Sequence, residues 1–559
     1  MTEQMLQTQR QFVEYLGQAN ALVTEAELDK SKDGLIKAIS EQELLVPVVG
    51  GFSAGKSTAL NAFLGESVLS VDIAPETALA TELRYTQGES YAEGVRENGK
   101  SERLNLKEFS KLKDRADEFS YARLYLNNEK LKAITPLVLV DMPGFDSPLD
   151  AHNKAIQGYL KKGVFFIVLE SVERGAVEAS TQANIKTFTS LKRDFVFCLS
   201  KTDAQPPVQV ESIRASIAST LKASFGYKKP IFLLDDGDKT LDEVISQIES
   251  EKIFERLYKD DLKFDFESTK SSIQTKISTL QASKVDIEEA LDEIENTIAS
   301  IDTVKRNLAR EQNDRAQIVA DATLNAVLNA LSGSINSLAQ AATSSQEAMN
   351  RQINQIVQAT LTSEFAKQAQ SQIQDIIEVY KIELNDLKLA SFNIDEKWLE
   401  IVLSSISSAL NGVVIGVKDN SGIVDTIANG AQVIMAALAV KFKFLKPVVV
   451  IVGEVVRFIA GLFGAGEKEI DKAGLEAQIL SSVKSGLKPE LEKHAKEQIN
   501  ALQENIAIAL EVSFKVKSKE IQAAQQEKEK ESAELETQIN ELSQVSDKLS
   551  TLATQYLYA

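Results

Sequence analysis

Cysteine and histidine are nearly absent from this sequence of 559 residues. The single cysteine, Cys198, excludes an intramolecular disulfide framework, and its place in a predicted strand favours a buried packing role over catalysis. The two histidines, His152 and His494, are far apart in the sequence. This distance argues against a zinc site and against a serine–histidine hydrolase.

Proline is scarce in the C-terminal part, where Pro447 and Pro489 are the only two of ten prolines beyond Pro230. Residues 44–250 alternate short β-rich runs with polar helical stretches. This alternation predicts an α/β domain, a parallel sheet covered by helices on both faces. After about residue 262 the pattern becomes helical.

Positive charge is also in deficit, since the formal net charge is −19. A nucleic-acid partner is therefore not expected, because binding to a phosphate backbone requires a basic face. The first ten residues lack a basic segment followed by an apolar one. We therefore expect no secretory signal and a cytoplasmic location.

Residues 50–57 read Gly-Gly-Phe-Ser-Ala-Gly-Lys-Ser and directly follow a predicted strand, the context typical of a phosphate-binding loop. Gly50 and Gly55 let the backbone curl so that its N–H groups point at phosphate oxygens. Lys56 can reach the β- and γ-phosphates, and the Ser57 hydroxyl can ligate Mg²⁺. The alternative is a glycine-rich turn without a ligand. The motif alone does not distinguish ATP from GTP.

A second motif follows the short β-rich run 137–140 and reads Asp-Met-Pro-Gly, residues 141–144. The carboxylate of Asp141 at a strand end suits Mg²⁺ held through water. Gly144 offers a backbone N–H to the γ-phosphate, at a point where a switch loop must move.

A third motif, Ser-Lys-Thr-Asp at residues 200–203, also ends an apolar run. The Asp203 carboxylate can accept hydrogen bonds from N1–H and the 2-amino group of guanine, two donors that adenine lacks. The stem of Lys201 can lie over the base, and Ser200 completes the predicted guanine site. Asp203 as an ordinary turn aspartate is the alternative. Residues 235–238, Asp-Asp-Gly-Asp, fit the last base-contacting loop poorly.

Together these motifs resemble those of the dynamin superfamily, in its bacterial branch. The resemblance rests on residues 51–58, 60–65, 74–78 and 141–144. It covers roughly residues 44–245 in specific motifs, and the rest of the chain only in helical layout. The resemblance implies GTP or GDP and Mg²⁺ as ligands, and a GTPase activity that is slow in isolation.

The resemblance also implies roles for further residues. Thr77 would be the switch threonine that contacts Mg²⁺ and the attacking water, with Thr81 as a substitute. Ser53 would help Lys56 stabilise the transferring phosphoryl group, and Thr58 would join the nucleotide-binding residues. Phe52 stands where eukaryotic dynamins carry glutamine, which argues against fast hydrolysis.

Apolar residues recur at helical spacing in the C-terminal half. From Ile273 to Leu308 they predict one long helix with a single apolar stripe, and a similar stripe runs from Leu535 to Leu552. We expect a helical bundle within one chain, and an intermolecular coiled coil is the alternative. The first 42 residues also look helical. In the dynamin layout such a segment packs with helices that follow the GTPase domain.

Residues 398–466 break this amphipathic pattern. The charge-free runs 401–417 and 426–440 are shorter than the ~20 residues of a spanning helix. The stretch from Ala436 to Ala460 contains four basic residues and one acidic residue, and this local positive charge suits an anionic membrane surface. We interpret the region as a membrane-contacting hairpin. The alternatives are a helix pair buried in the bundle and an interface with a partner.

These observations predict an α/β GTPase head on a long helical stalk with an apolar tip. The predicted divisions are N-terminal helices 1–42, the GTPase domain 43–250, the ascending stalk 251–397, the hairpin 398–466, and the descending stalk with a neck helix 467–559.

The expected function is a dynamin-like GTPase that couples GTP hydrolysis to stalk movement, assembly and membrane remodelling. It would act peripherally on the inner face of the cell membrane. Its partners would be anionic lipid, further copies of the chain through head and stalk, and a related dynamin-like chain. The alternative is a nucleotide-gated interaction protein with slow or no turnover, whose hairpin binds a protein.

Overall fold

A computed structural model gives the structure of the chain. It describes residues 5–28, 31–70, 79–96, 98–144, 159, 162–190, 192–235, 241–385, 387–414, 472–530 and 535–558. Within these ranges the chain forms an α/β head, up to Ser246, and a helical stalk that begins at Ser250.

The head is built on one nine-stranded sheet with the order β4-β3-β5-β2-β6-β1-β7-β8-β9. Its strands are β1 Leu44–Gly50, β2 Thr81–Tyr85, β3 Tyr91–Val95, β4 Ser101–Asn105, β5 Tyr121–Leu126, β6 Leu137–Asp141, β7 Phe165–Ser171, β8 Asp194–Ser200 and β9 Ile231–Leu233.

The sheet is mixed rather than wholly parallel. Strands β6, β1, β7, β8 and β9 are parallel, as predicted, and this half carries the sequence motifs. Strand β2 runs antiparallel to β6, and β3 runs antiparallel to both β4 and β5. Residues 96–100 join β3 to β4 directly, a short connection that only an antiparallel pair allows.

Helices cover both faces of the sheet, as the buried strands show. Phe165 and Ile167 of β7 point into one apolar core, whereas Phe166 and Val168 point into the other. Such strands read as continuous apolar runs because both faces are covered. Cys198 is fully buried in β8, as predicted. The head helices are α1 Gln7–Glu25, α2 Asp33–Glu41, α3 Lys56–Leu64, α4 Glu129–Ile134, α5 Ala179–Ser190, α6 Pro207–Phe225 and α7 Asp242–Ser246.

The stalk is a bundle in which the buried apolar side chains between Ile287 and Ile521 meet inside one contiguous core. The buried apolar side chains of the flanking segments 253–280 and 542–557 belong to a second core, which they share with the head. This arrangement is the intramolecular one that the sequence favoured. The stalk helices are α8 Ser250–Gln281, α9 Lys284–Arg310, α10 Gln312–Gly333, α11 Ile335–Ser344, α12 Gln346–Glu383, α13 Glu396–Val414, α14 Lys472–Lys530 and α15 Leu535–Leu557.

The predicted single helix from Ile273 to Leu308 is wrong, because the chain breaks between α8 and α9. Ser283 caps α9: its Oγ accepts from the Asp286 N–H at 3.2 Å, and Asp286 Oδ2 accepts from the Ser283 N–H at 3.0 Å. This reciprocal pair is a capping box. The apolar stripe continues across the break, and so the stripe alone could not reveal it.

Helix α1 packs against α8 and α15, and these three helices form what we call the neck. The rings of Phe12 and Phe254 lie 6.3 Å apart, and those of Tyr15 and Tyr556 lie 6.1 Å apart. The N-terminal segment therefore joins the first and the last helix of the stalk.

Most of the predicted hairpin 398–466 lies outside the described residues, since these stop at Val414 and resume at Lys472. At the resumption, Lys472 donates to Asn336 at 2.9 Å, and Ser332 donates to Glu476. Among the described helices none is long and apolar enough by itself to span a membrane. One pair bent by 59°, Gln312–Gly333 with Ile335–Thr343, meets the length and composition criteria together.

Candidate functional site

The phosphate-binding loop lies between β1 and α3, at the carboxyl edge of the parallel half of the sheet. A Cβ on Gly50 would lie 2.2 Å from the carbonyl oxygen of Leu169, so no larger residue fits there. Gly55 has a φ of +77° and directly precedes α3. This left-handed conformation favours glycine. Both glycines of the motif are therefore required by the backbone itself.

The ammonium group of Lys56 is folded back over the loop. It donates to the carbonyl oxygens of Gly50 at 3.3 Å and Gly51 at 2.9 Å, and the side chain is buried. These contacts place a positive charge inside the curl of the loop, where phosphate oxygens would bind.

Ser57 and Asp141 come together at the start of α3 and the end of β6. The Ser57 hydroxyl donates to Asp141 Oδ2 at 2.8 Å. Asp141 is only 2% exposed, and its Oδ1 has no hydrogen-bond partner among the described residues. Burial raises the pKa of Asp141 to about 6, against the opposing effects of the Ser57 hydrogen bond and the Lys56 charge.

A buried carboxylate oxygen without a partner is costly in a folded protein. A hard cation satisfies it, and Mg²⁺ takes oxygen ligands while keeping several waters and phosphate oxygens. No group of three or more acidic, histidine or cysteine side chains in the described ranges could hold a metal by itself. The pair Ser57 and Asp141 therefore fits Mg²⁺ bound together with a nucleotide.

The second motif, residues 141–144, lies against the phosphate-binding loop. A Cβ on Gly144 would lie 3.0 Å from both the Cα and the backbone nitrogen of Phe52, so the two backbones are in close contact. Ser53, the neighbour of Phe52, is exposed and has a φ of +58°, unusual for a residue other than glycine. The structure thus brings Gly144, Phe52 and Ser53 to the same end of the loop.

Three predicted positions are less informative. Thr77 lies outside the described residues. Thr81, its substitute, is buried in β2, and its hydroxyl donates to the Leu79 carbonyl oxygen at 3.3 Å. Thr58 is half-buried in the first turn of α3.

The predicted guanine site is a tight turn after β8. The Ser200 hydroxyl donates to the Ala54 carbonyl oxygen at 2.8 Å and so ties this turn to the phosphate-binding loop. Lys201 has a φ of +55°, and the Thr202 N–H donates to the Leu234 carbonyl oxygen at 3.2 Å. Asp203 follows in a short 3₁₀ turn with its side chain exposed. Of residues 235–238, only Asp235 lies within the described part.

Sequence reasoning missed Glu173, which lies in the 3₁₀ turn Val172–Arg174 after β7. Its Oε2 accepts from Lys201 Nζ at 2.9 Å and from the Ser171 hydroxyl at 3.1 Å. The hydrogen bond from Lys201 lowers the pKa of Glu173. The Ser-x-Glu order after a strand is a local capping signal, but nothing in it indicates Lys201 as the partner.

A second missed residue is Glu82, a buried carboxylate in β2. It accepts from the Tyr159 hydroxyl at 2.7 Å and from Arg84 at 2.8 Å. These two hydrogen bonds compensate the buried carboxylate inside the head. Arg84 lies on the same strand as Glu82, but no sequence signal connects Glu82 with Tyr159, which is 77 residues away.

The comparison with protein families supports this geometry. Residues 46–202, which run from β1 to the turn after β8, match the family model described as "Dynamin family". The head of this chain is a dynamin-family GTPase domain, as the resemblance of the motifs predicted.

Two curated proteins match the chain over part of its length. An "Uncharacterized protein in xynA 3'region" of Caldicellulosiruptor sp. is 23% identical over 224 residues, 38% of this chain and 54% of that protein. A "Probable transmembrane GTPase FZO-like, chloroplastic" of Arabidopsis thaliana is 28% identical over 196 residues, 35% of this chain and 18% of that protein. The chain thus spans about half or less of these relatives.

Solved structures of bacterial dynamins align along the whole chain. One, from work on "an oligomerised bacterial dynamin pair", shares 17% identity at a TM-score of 0.40 and covers 99% of this chain and 82% of that one. The "LeoA bacterial dynamin GTPase from ETEC" shares 13% identity at a TM-score of 0.32 and covers 98% of each chain. The length and general layout of the present sequence also resemble those of the LeoA type.

Proposed function

We propose that this chain binds GTP with Mg²⁺, hydrolyses it, and couples the nucleotide state to movement of the stalk and to membrane binding. One observation carries the proposal. The unpartnered Oδ1 of buried Asp141 lies beside Ser57, under a loop that Lys56 already fills with positive charge. This arrangement has the charges and donors that a nucleotide phosphate with its cation requires.

Each residue then has a definite task in the attack of water on the γ-phosphate. Ser57 and Asp141 would hold Mg²⁺, which would neutralise negative charge on the phosphate oxygens of the nucleotide. Lys56 adds positive charge at the same oxygens, and the Gly144 N–H contacts the γ-phosphate. Thr77 would place the attacking water together with backbone groups, and Ser53 would support the transferring group. A second head across a dimer would complete the site.

Base recognition would come from the turn after β8. Asp203 would accept from guanine, and the stem of Lys201 would cover the base. Ser200 would hold this turn against the phosphate-binding loop through Ala54, as it does in the structure.

The membrane part of the proposal concerns residues 415–466, because the described remainder of the predicted hairpin lies in α13, whose apolar side chains pack in the bundle core. The chain resumes at Lys472 beside Asn336, at the end of α14 opposite to the part that packs on α8 of the neck. The segment is apolar with a local excess of basic residues, which suits anionic lipid. The Arabidopsis relative is described as a transmembrane GTPase. We propose peripheral attachment to the inner face of the cell membrane and self-association through head and stalk.

A binding titration with fluorescent GTP tests the nucleotide assignment. Lys56→Ala should abolish binding, as should removal of Mg²⁺ with EDTA. The control is Lys222→Ala, which changes an exposed lysine of α6 and should leave the affinity unchanged.

Asp203→Asn tests base recognition. It should weaken binding of GTP and favour binding of xanthosine triphosphate, because the amide can donate to the 2-oxo group of xanthine. Equal affinity of the unaltered protein for ATP and GTP would contradict the base assignment.

A second candidate function is a nucleotide-gated interaction protein that turns over GTP slowly or not at all. The close packing of Phe52 against Gly144 favours it, since an apolar residue occupies the place beside the γ-phosphate. Liposome co-sedimentation with and without a non-hydrolysable GTP analogue separates the two functions. Binding to lipid supports the membrane GTPase, and its absence supports the protein-binding alternative.

A further inference from the structure

Strand β4 forms one edge of the head sheet, and among the described strands only β3 pairs with it. In the turn between these two strands, the Arg96 N–H donates to the Lys100 carbonyl oxygen at 2.9 Å. Backbone groups along an antiparallel strand point alternately toward the partner strand and away from it. From this bond onward, the N–H and C=O groups of Ser101, Arg103 and Asn105 therefore point to the open edge. Such an edge is a template for one more extended chain.

The two faces of β4 differ in exposure. Glu102 and Leu104 are half-buried, because the 3₁₀ segment Leu106–Glu118 packs on their side of β3 and β4. A Cβ on Gly94, which lies opposite Glu102, would be 3.0 Å from Leu112 of this segment. The other three residues of β4 alternate with these and are exposed on the opposite face. An added strand would present half of its side chains to that exposed face.

Arg103 is already oriented on the exposed face. The Cζ atom of its guanidinium lies 3.6 Å from the ring centroid of Tyr91. The Tyr91 ring in turn stacks on Tyr125, with 4.5 Å between the centroids and 13° between the planes. A guanidinium stacked on an aromatic ring has lost part of its conformational freedom and keeps its N–H donors for a carboxylate. Arginine and tyrosine are also residues in which the binding energy of protein interfaces concentrates.

The charges along this edge are positive and uncompensated. Lys100, Arg103 and Lys107 are exposed, and none of the three has an ion-pair partner among the described residues. The neighbouring carboxylate of Glu102 is instead held by two other arginines, at 2.9 and 2.8 Å. Electrostatic attraction is screened beyond about 10 Å, so the local charge of the edge, rather than the net charge of −19, decides which segment binds. A positive edge favours an acidic segment.

A second copy of the chain is a poor occupant of this edge. Two β4 strands that pair about a two-fold axis at Arg103 place the two arginines directly opposite each other. An axis at Glu102 does the same with two glutamates, and like charges in these positions destabilise a strand pair. An axis at Leu104 avoids both repulsions. It leaves only residues 103–105 of each strand to pair, because the 3₁₀ segment begins at Leu106.

We propose that β4 is a docking edge for an acidic extended segment of another protein. The main chain of that segment pairs with the outward backbone groups of Ser101, Arg103 and Asn105 and becomes a tenth strand of the sheet. A carboxylate on the exposed face of the added strand accepts from Arg103, and further carboxylates lie near the two lysines. The docking uses no residue of the nucleotide site and so stands apart from the proposed function.

Fluorescence polarisation tests the choice of partner, with a labelled peptide of alternating threonine and glutamate as the probe. The intact chain should bind this peptide saturably, whereas the same peptide with lysine in place of glutamate should not bind. Arg103→Glu should weaken binding at least about tenfold, because it removes a charge-assisted pair and adds a repulsion. The matched control, Lys222→Glu, reverses an exposed charge on α6 and should leave the affinity unchanged.

Three results of this titration would overturn the proposal. If the glutamate peptide fails to bind the intact chain, the charges of β4 only protect an open edge from association. If the peptide binds the intact chain and Arg103→Glu equally well, its site lies elsewhere. If the peptide instead dissociates a dimer of the chain, the occupant of the edge is a second copy.

Hydrogen exchange at single-residue resolution tests the strand pairing itself. The amides of Glu102 and Leu104 face β3 and should exchange slowly in the unbound chain. The amides of Ser101, Arg103 and Asn105 should exchange fast until the peptide binds, and slowly afterwards. Ser101→Pro removes one outward donor at a position where an edge strand tolerates proline, so it should weaken binding of the peptide, whereas Ser101→Ala should not. Protection that does not alternate in this way contradicts strand addition, even where the peptide binds.

Discussion

Asp141 shows how a single buried group links folding to ligand binding. Burial raises its pKa to about 6 from an ordinary value of 3.8, so the folded state holds this proton more tightly than the unfolded chain does. Protonation of Asp141 therefore favours the nucleotide-free fold. The contribution of Asp141 to the free energy of unfolding of the nucleotide-free protein falls as the pH rises from about 4 to about 6. A bound cation would remove the free-energy cost of burying the ionised carboxylate of Asp141.

Replacing the carboxylate tests that account. Asp141→Asn should raise the melting temperature of the nucleotide-free protein at pH 7.5, by the equivalent of roughly 1–3 kcal/mol, because the amide can still accept from Ser57 without a buried charge. The same variant should lose Mg²⁺-dependent GTP binding. Thermal melts at pH 5.0 and 7.5 provide the measurement, and a smaller gain is expected at the lower pH. A lower melting temperature at pH 7.5 would contradict the assignment.

Phe52 offers a test of turnover. Phe52→Gln should change kcat more than GTP affinity, because a side chain beside the γ-phosphate acts on the transition state rather than on ground-state binding. The measurement is the kcat of the variant and of the unaltered protein, each with lipid present. An equal kcat in both proteins would show that Phe52 does not limit hydrolysis.

The residues of the site were predictable from sequence to very different degrees. The positions Gly50, Gly55 and Lys56 follow from local spacing, because one short loop brings them together. Glu173 and Glu82 could not be predicted in this way, since each depends on a partner that is distant in the sequence, Lys201 and Tyr159 respectively. Only the sheet order brings such partners close.

Among the secondary-structure elements, the break between α8 and α9 best illustrates the limits of periodicity. The apolar residues from Ile273 to Leu308 keep helical spacing across the break, so the sequence fits one helix as well as two. In the structure, Ile273 and Leu280 pack in the core shared with the head, whereas the residues from Ile287 onward pack in the stalk core. The local signal was present in Ser283 and Asp286, which form the capping box. The antiparallel position of β2 could not be read at all, because strand order depends on contacts distant in sequence.

The cap provides a test at the same scale. Ser283→Ala should remove the acceptor of the Asp286 N–H and destabilise the start of α9 by about 1 kcal/mol. Hydrogen exchange measured by mass spectrometry should show faster exchange in the first turn of α9. Ser300→Ala, an exposed position in the same helix, is the control and should leave that turn unchanged. Unaltered exchange in the Ser283 variant would argue that packing alone fixes the break.

On the scale of the whole molecule, head and stalk are joined twice, at the neck and at the contact between α5 and α12. The helical bundle was predictable because its stripes are long and regular. The contact between the head and the middle of the stalk was not predictable, because it joins residues as distant in the sequence as Thr187 and Ala359.

The predicted hairpin can be tested on the intact chain. Val449→Asp with Ile451→Asp should abolish binding to anionic liposomes without lowering GTP affinity, because a carboxylate in the acyl region costs several kcal/mol. Co-sedimentation and a thermal melt on one sample give the answer. Lost lipid binding with normal melting supports the membrane contact. A sharp fall in melting temperature would show that the segment is buried in the bundle instead.

Helix α14 is the longest element described, with 59 residues and a length of about 90 Å. Pro489 lies inside it and has no N–H to offer the Ser485 carbonyl oxygen, so the backbone ladder is interrupted at that turn. A helix bends most easily where its backbone hydrogen bonds are interrupted, and Pro489 lies in the third of α14 that is farthest from the neck. We therefore expect a load on the stalk to bend α14 at Pro489 before it bends the longer segment that packs on α8.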